Sequence, residues 1–502
     1  MKSIKYIISL TAILFLVSCS DMFESLDVRN ENQPNIADLY TPNEFYALLK
    51  NGYNTWYNGA IAASPSIGFT NAELFSAGTP GWGSNTMWFR PRQPLFNDQH
   101  PDPVIVINFG AWYNFYSGVG TVIKLSKILE DPEYKVILEG VDYTKRAKAH
   151  VYIIQALLYG NIALLYDKAY LFTEEHDAVN FDFVGNTKSY KEVMDYAVKR
   201  LDDAIALIES DNVDLDYQEV IPGVSFTKAR LAQFANSMAA RFLVNNARTP
   251  AENMATDWNK VKAYTEKGLQ ADFNVSYVDG WRGKVMTRDV GANYLGLYNW
   301  GWIRAHQWLI NKMAPDDPAA TYPWPEGVER LYQVTNCPDA RLDKYFRWDE
   351  NSPQWFGWSR VTREGYGYFI RCEYRYWRYY DVINAGAGLV GHYLKAENDL
   401  YLAEAKIRTN QIAGAAALIN NTRVDVGNLP PAADSDPDLL QKMFYERYVE
   451  CDLVWAHLGF FDKRRQGMLM PGTAYHFPIP APELQMHGQP VYTFGGAPGT
   501  EM

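Results

Sequence analysis

The sequence has 502 residues, enough for one large core or two or three smaller ones. Its net charge is −11 with no basic run, which argues against nucleic acid as a partner, because phosphate binding needs clustered Lys and Arg. Aromatic residues make up 15% of the chain, including 35 tyrosines and 15 tryptophans, a content that serves either a large core or the stacking of flat ligand faces, and their distribution along the chain separates the two.

The chain begins MKSIKYIISLTAILFLVSCSD. Lys2 and Lys5 precede an apolar run from Tyr6 to Val17. The run falls short of the roughly 20 residues a membrane span requires, and its layout predicts a secretory signal peptide over residues 1–18. Leu16-Val17-Ser18-Cys19 resembles the bacterial lipobox, in which the cysteine is acylated and becomes the new N-terminus. Cys19 is therefore the expected lipid anchor, and the polar stretch 19–37 the expected leash.

The first half then reads as successive helices. Thr41-Pro42-Asn43-Glu44 predicts a capped start with proline at the first helical position, followed by Phe45, Leu48, Leu49, Tyr53 and Trp56 on one face. A second helix is predicted from about Trp112 to Leu129, and a third from Tyr143 to Leu165 with Ala147, Val151, Ile154, Leu158, Ile162 and Leu165 as its stripe. Ser189 and Glu192 predict a capping box for a helix with Val193, Tyr196, Ala197, Leu201, Ala204, Ile205 and Ile208 inward. Leu231, Phe234, Ala235, Met238 and Phe242 mark the next, and Thr249-Pro250-Ala251-Glu252 opens a helical region through Leu269. Towards the C-terminus an alanine-rich helical hairpin is predicted over His392–Arg408 and Ile412–Arg423, the unit of tetratricopeptide-type solenoids. Asp436-Pro437 predicts the cap of a last helix, from about Asp438 to Trp455. Asp434, Asp436 and Asp438 lack the glycine and closing glutamate of a calcium loop.

Between these blocks the texture changes. Residues 82–103 and 281–383 hold glycine, proline and aromatics without periodicity, and the second stretch contains nine of the fifteen tryptophans. Long irregular excursions from a helical scaffold commonly carry function. Stacking on sugar faces needs a tryptophan beside a polar or charged partner. That requirement selects Trp82, Trp88 and Arg90 early, and Trp300, Trp302, Arg304, Trp324, Trp355, Trp358 and Arg360 late, as candidate ligand-binding residues. Tyr374, Tyr376 and Trp377, alternating with arginines, read instead as a half-buried strand or helix start. The chain has no G-x-S-x-G, H-E-x-x-H or P-loop. Nor does it show the βα alternation that would frame two glycosidase carboxylates. No catalytic residue, cofactor or metal is assigned. Cys337, Cys372 and Cys451 show no metal-ligand spacing, and Cys337 with Cys372 admits either a disulfide or free thiols.

Several segments, in order, resemble the SusD/RagB-like outer-membrane nutrient-binding lipoproteins of Bacteroidetes. They are RAKAHVYIIQALLYGNIALLY from Arg146, SYKEVMDYAVKRLDDAIALI, FANSMAARFLVNNA, YLAEAKIRTNQIAGAAALINNTRVDVG, ERYVECDLVWAHLGFFDKRRQG and YHFPIPAPEL. Between Glu450 and Asp462 the chain is about two residues longer than the family pattern, and the family's Glu-Gly pair is absent. Glu404, Arg423, Glu450, Asp462 and Arg464 are expected to be structural ion pairs between packed helices. The resemblance implies a mostly α-helical, tetratricopeptide-like scaffold carrying long irregular ligand-binding loops. It implies one domain over 38–502, with helical repeats over 38–280, aromatic-rich loops over 281–390 and a helical hairpin with a C-terminal segment over 391–502. Asp21 and Glu24 resemble the acidic export signals of surface lipoproteins. The implied function is capture of an oligo- or polysaccharide at the outer membrane and delivery to a SusC-like TonB-dependent transporter. A surface glycoside hydrolase and a peptide-binding RagB-like member are the alternatives.

Overall fold

In the computed structural model, residues 40–62, 75–77, 94–95, 97, 109–281, 303–323, 332–348, 372–452, 454 and 458–501 are described. Of the N-terminal unit, Met1–Thr41, this covers only Tyr40 and Thr41, so the signal-peptide and anchor expectations lie outside it.

The helices begin where the sequence places them. α1 spans Pro42–Ala62 and starts on its proline, whose fixed φ suits a first helical position. β1 is Phe75–Ala77 and α2 is Phe109–Ile128. After the hairpin β2–β3 (Ile137–Leu138 and Val141–Asp142), α3 runs Thr144–Leu165. Its predicted stripe is buried throughout, and so is most of its remaining surface, because α1, α2, α4 and α5 all pack on it. β4 (Lys168–Tyr170) and β5 (Thr187–Ser189) form a second hairpin and lead into α4, Tyr190–Glu209. Here the Ser189–Glu192 capping box is complete, each side chain satisfying the other's backbone N–H. Val193, Ala197, Leu201, Ala204 and Ile208 are buried, while Tyr196 and Ile205 sit at the margin. α5 is Lys228–Asn245, with Leu231, Phe234, Ala235, Met238 and Phe242 all buried.

The single helical region expected after Thr249 is instead two helices, α6 (Pro250–Ala255) and α7 (Trp258–Glu266). Thr256 leaves the helical conformation, and the Asp257 carboxylate accepts from Lys260 N at 2.9 Å to cap the second helix. β6 follows at Phe273–Ser276. The long excursion then supplies β7 (Ile303–Ala305), α8 (Gln307–Met313), α9 (Arg341–Tyr345), β8 (Phe346–Trp348), β9 (Tyr374–Tyr376) and α10 (Tyr380–Ala385). β9 agrees with the strand reading of Tyr374 and Tyr376, both of which are buried.

His392 and Tyr393, expected to open a helix, belong to β10, Leu389–Tyr393, which pairs antiparallel with β6. The hairpin helices are therefore shorter than predicted, α11 at Lys395–Arg408 and α12 at Ala415–Arg423. The last predicted helix is also cut short. α13 is Leu439–Glu446, and Arg447–Cys451 continue as a π-turn closed by Asp452 N to Arg447 O at 2.8 Å. A π-turn takes up extra residues within a helix, in the region that is long against the family pattern; Trp455 lies outside the described residues. The preceding carboxylates are engaged elsewhere. Asp434 accepts from Gly414 N and Ala416 N, capping α12, while Asp436 and Asp438 both hold Lys442. α14 (Leu458–Arg465) and α15 (Ala481–Met486) complete the chain.

The helices stack as a solenoid within Pro42–Met502. α1 packs on α2, α2 on α3, α3 on α4, α4 on α5, α5 on α7, α7 on α11 and α11 on α12. Close approach is set by glycine: a Cβ at Gly118 would stand 2.8 Å from Leu158 Cδ2, and one at Gly160 would enter the Phe242 ring. Polar knots are buried between the layers. Tyr46 donates to Asp216 at 2.6 Å, and His150 bridges Asp216 (2.5 Å) and the Tyr53 hydroxyl (2.7 Å). Among the described residues every sheet is two-stranded, and no helix is long and apolar enough to cross a membrane. Cys337 and Cys372 are not joined in a disulfide; their thiols donate to Met313 O (3.3 Å) and Ala305 O (3.1 Å).

Candidate ligand-binding face

Two excursions leave the solenoid, and the solenoid brings their ends together. The early one, 63–108, connects α1 to α2, which pack on each other. The late one leaves after β6 and returns at β10. Ser276 pairs with Leu389, and Tyr277 N donates to Gly388 O at 2.8 Å, so residues 277–388 exit and re-enter through one neck. That neck is tied to the last turns of α1. Asn54 donates to Gly280 O at 2.7 Å, the Tyr57 hydroxyl donates to Trp281 O at 3.0 Å, and the rings of Tyr57 and Trp281 lie 5.0 Å apart. The early excursion thus starts beside the late one.

They meet again further out. β1 pairs antiparallel with β7, in the register Phe75↔Ala305, Ser76↔Arg304 and Ala77↔Ile303. Cys372 N donates to Ala305 O at 3.3 Å, which brings the approach to β9 alongside, and β9 pairs with β8 (Phe346↔Tyr376, Arg347↔Arg375, Trp348↔Tyr374). The return of the early excursion is fastened to the C-terminal segment: Leu95 N donates to Phe494 O at 2.8 Å, and Asn97 donates to Ile479 O (3.0 Å) and Tyr492 O (2.8 Å).

The sequence-selected residues stand against this frame as follows. Trp82, Trp88, Arg90, Trp300, Trp302, Trp324, Trp355, Trp358 and Arg360 lie outside the described residues. Arg304 is the middle residue of β7. The frame itself joins the segments that flank them, early with late.

Sequence reasoning missed one feature. Trp377 and Tyr380 stack with ring centroids 3.9 Å apart and planes at 10°, and the Arg347 guanidinium lies 4.9 Å from the Trp377 centroid. Both rings are half-buried and Arg347 is exposed. The i, i+3 spacing of the rings was legible, but Arg347 is brought in by the β8–β9 pairing, which the local pattern does not reveal.

The ion-pair residues are structural. Arg465 grips Glu404 through two bonds of 2.7 Å and also meets Asp462, which Arg447 holds at 2.5 Å. Burial pushes Asp462 up, but Arg447 and Arg465 outweigh it and hold the carboxyl below its usual range. Arg423 approaches Glu446 at 3.6 Å. Glu450 does not join two scaffold helices. It takes Arg378 (2.6 Å) and the Tyr345 hydroxyl (2.9 Å), pinning the late excursion to the π-turn. Arg464 is a correction: it donates to three backbone carbonyls, Leu164 O (3.1 Å), Tyr475 O (2.7 Å) and Asn245 O (2.8 Å), rather than to a carboxylate. A guanidinium's spread of donors suits three diverging acceptors.

No family model matches the chain, and no curated protein is similar to it. Solved structures are. A SusD superfamily protein from Parabacteroides distasonis shares 13% identity, over 89% of this chain and 97% of its own, with a TM-score of 0.60. A second SusD superfamily protein, from Bacteroides fragilis, shares 15% over 89% and 98%, with a TM-score of 0.56. The chain has the SusD-like fold. A SusD-like carbohydrate-binding protein from B. fragilis is also similar, at 14% identity over 80% of this chain and 85% of its own, with a TM-score of 0.51. The mostly helical scaffold is what the SusD-like resemblance implied.

Proposed function

We propose that this chain is a lipid-anchored protein of the cell surface that binds oligo- or polysaccharide and passes it to a SusC-like TonB-dependent transporter, without catalysing a reaction on it. The observation that carries the reading is the β1–β7 pairing within a SusD-like fold. It couples the excursion bearing Trp82, Trp88 and Arg90 to the one bearing Trp300, Trp302, Arg304, Trp324, Trp355, Trp358 and Arg360. Similarity to a protein described as carbohydrate-binding supports the ligand class, and the lipobox-like Leu16–Cys19 supports the anchor. In this reading residues 1–18 are removed, 19–37 form the leash and 38–502 form the binding domain.

Affinity gel electrophoresis against a polysaccharide panel tests the ligand. Alanine at a contacting tryptophan should weaken binding by about 1–3 kcal/mol while shifting unfolding by less than about 1 kcal/mol. Alanine at a core tryptophan should cost about 3–5 kcal/mol of stability. If no polysaccharide is retarded, the glycan reading fails; if all seven tryptophan variants bind as the parent does, the site assignment fails. Cys19→Ala should leave the membrane fraction or persist as an uncut precursor, and normal membrane recovery would refute the anchor.

A further inference from the structure

Arg347, Trp377 and Tyr380 gather in one stack: the Tyr380 ring lies parallel to Trp377 at 3.9 Å, and the Arg347 guanidinium is 4.9 Å from the Trp377 centroid. A guanidinium laid over a ring keeps its N–H edge free for an acceptor, and that edge suits the two oxygens of a carboxylate or sulfate. Arg347 is exposed, and among the described residues it has no carboxylate within ion-pair distance. At the far end of the stack, no described ring lies against the outer face of Tyr380.

The stack is held rigidly from below. Arg378, next in sequence to Trp377, donates to the Glu450 carboxylate at 2.6 Å and to Glu450 O at 2.9 Å, and lies 4.3 Å over the Tyr345 ring. Trp377 N donates to Tyr345 O at 2.6 Å. Directly across the strand pair from Arg347 is Arg375, buried and engaged within the fold. A preorganised cation beside an aromatic face is what an acidic sugar needs.

We propose that the Arg347–Trp377–Tyr380 stack is a contact site for an anionic saccharide, Arg347 receiving its carboxylate or sulfate and Tyr380 the apolar face of a neighbouring sugar ring. The proposal rests on the glycan-binding reading above and narrows its ligand class.

Two pairs of probes share a backbone and differ in charge: polygalacturonate against its methyl ester, and dextran sulfate against dextran. Poly-glutamate serves as an acidic polymer without sugar. The expected result is binding of polygalacturonate or dextran sulfate at least tenfold tighter than of its neutral counterpart, weakening with added salt. Arg347→Gln and Tyr380→Ala should each reduce that binding at least tenfold with unchanged melting temperatures. The carboxylate and sulfate arms identify which acid is read. The proposal is overturned if neither acidic glycan binds, if both variants bind as the parent does, or if poly-glutamate binds as tightly as the acidic glycan. A neutral glycan whose binding is lost in the tryptophan variants but untouched by Arg347→Gln would sink this inference and leave the glycan-binding reading standing.

Discussion

Removing the charge of Glu397 should destabilise the protein out of proportion to the single atom changed. Arg241 on α5 donates through Nε and one terminal nitrogen to the two Glu397 oxygens on α11, each bond 2.7 Å. Neither side chain is more than 2% exposed. The guanidinium also donates to His392 O at 3.2 Å and lies 4.2 Å over the Tyr393 ring, so it is closed in on every side. Glu397→Gln preserves shape and one acceptor but leaves a buried cation without its counter-charge. Breaking a buried pair in this way costs about 3–5 kcal/mol, a large share of the roughly 5–15 kcal/mol that holds a typical domain folded. The double variant Arg241→Met/Glu397→Leu removes both charges together and should cost much less, because apolar replacement of a whole buried pair is often nearly neutral. Urea unfolding followed by tryptophan fluorescence reads both through the midpoint at constant m-value. A loss below about 1 kcal/mol for Glu397→Gln, or a double variant weaker than the single one, would refute the claim that the pair is desolvated.

Gly160→Ala should cost about 1–3 kcal/mol, because the new methyl enters the Phe242 ring where α3 meets α5; a melt within error of the parent would show that the helices separate freely there. Asp167 gives a pH signature. Burial pushes its carboxyl up to about 6, against the bonds from Tyr492 and the charges of Lys168 and Arg248. Its folded value exceeds its unfolded one, so the fold favours the neutral acid, and its contribution falls as pH rises through about 6. Asp167→Asn should therefore gain stability relative to the parent at pH 8, and the gain should shrink towards pH 4 to 5; a difference that does not vary with pH would contradict the burial argument.

The solenoid was legible because its helices carry their own signals: one apolar face each and, at Ser189, a cap satisfied within four residues. What was misread depended on partners distant in sequence. His392 and Tyr393 look helical by local pattern and become strand because β6 waits across the excursion. Arg464 sits in a motif that implies an ion pair, yet its acceptors are carbonyls from three separate segments. The Arg347 contribution to the Trp377 stack arises only once β8 and β9 pair. The composition of the excursions pointed to a ligand face, and the β1–β7 register joins a segment just before the early stretch to the late one, while the tryptophans chosen within them, Trp82 through Trp358, await the binding measurements.

The neck at Ser276 and Leu389 bears on how such a protein changes over generations. α7 and α11 pack on each other directly, and the segment between them is fastened to the frame at further points, among them Arg378 and Tyr345 on Glu450 and Arg341 on Glu446. Lengthening a closed loop adds only a logarithmic entropy cost, so changes of length within 277–388 are cheapest away from those anchoring residues. Loss of Arg341 or Arg378 would leave the buried carboxylates Glu446 or Glu450 short of a counter-charge, so the segment and the frame are bound to each other at these points. Variation in what is held is thereby constrained at a few anchoring residues and freer elsewhere.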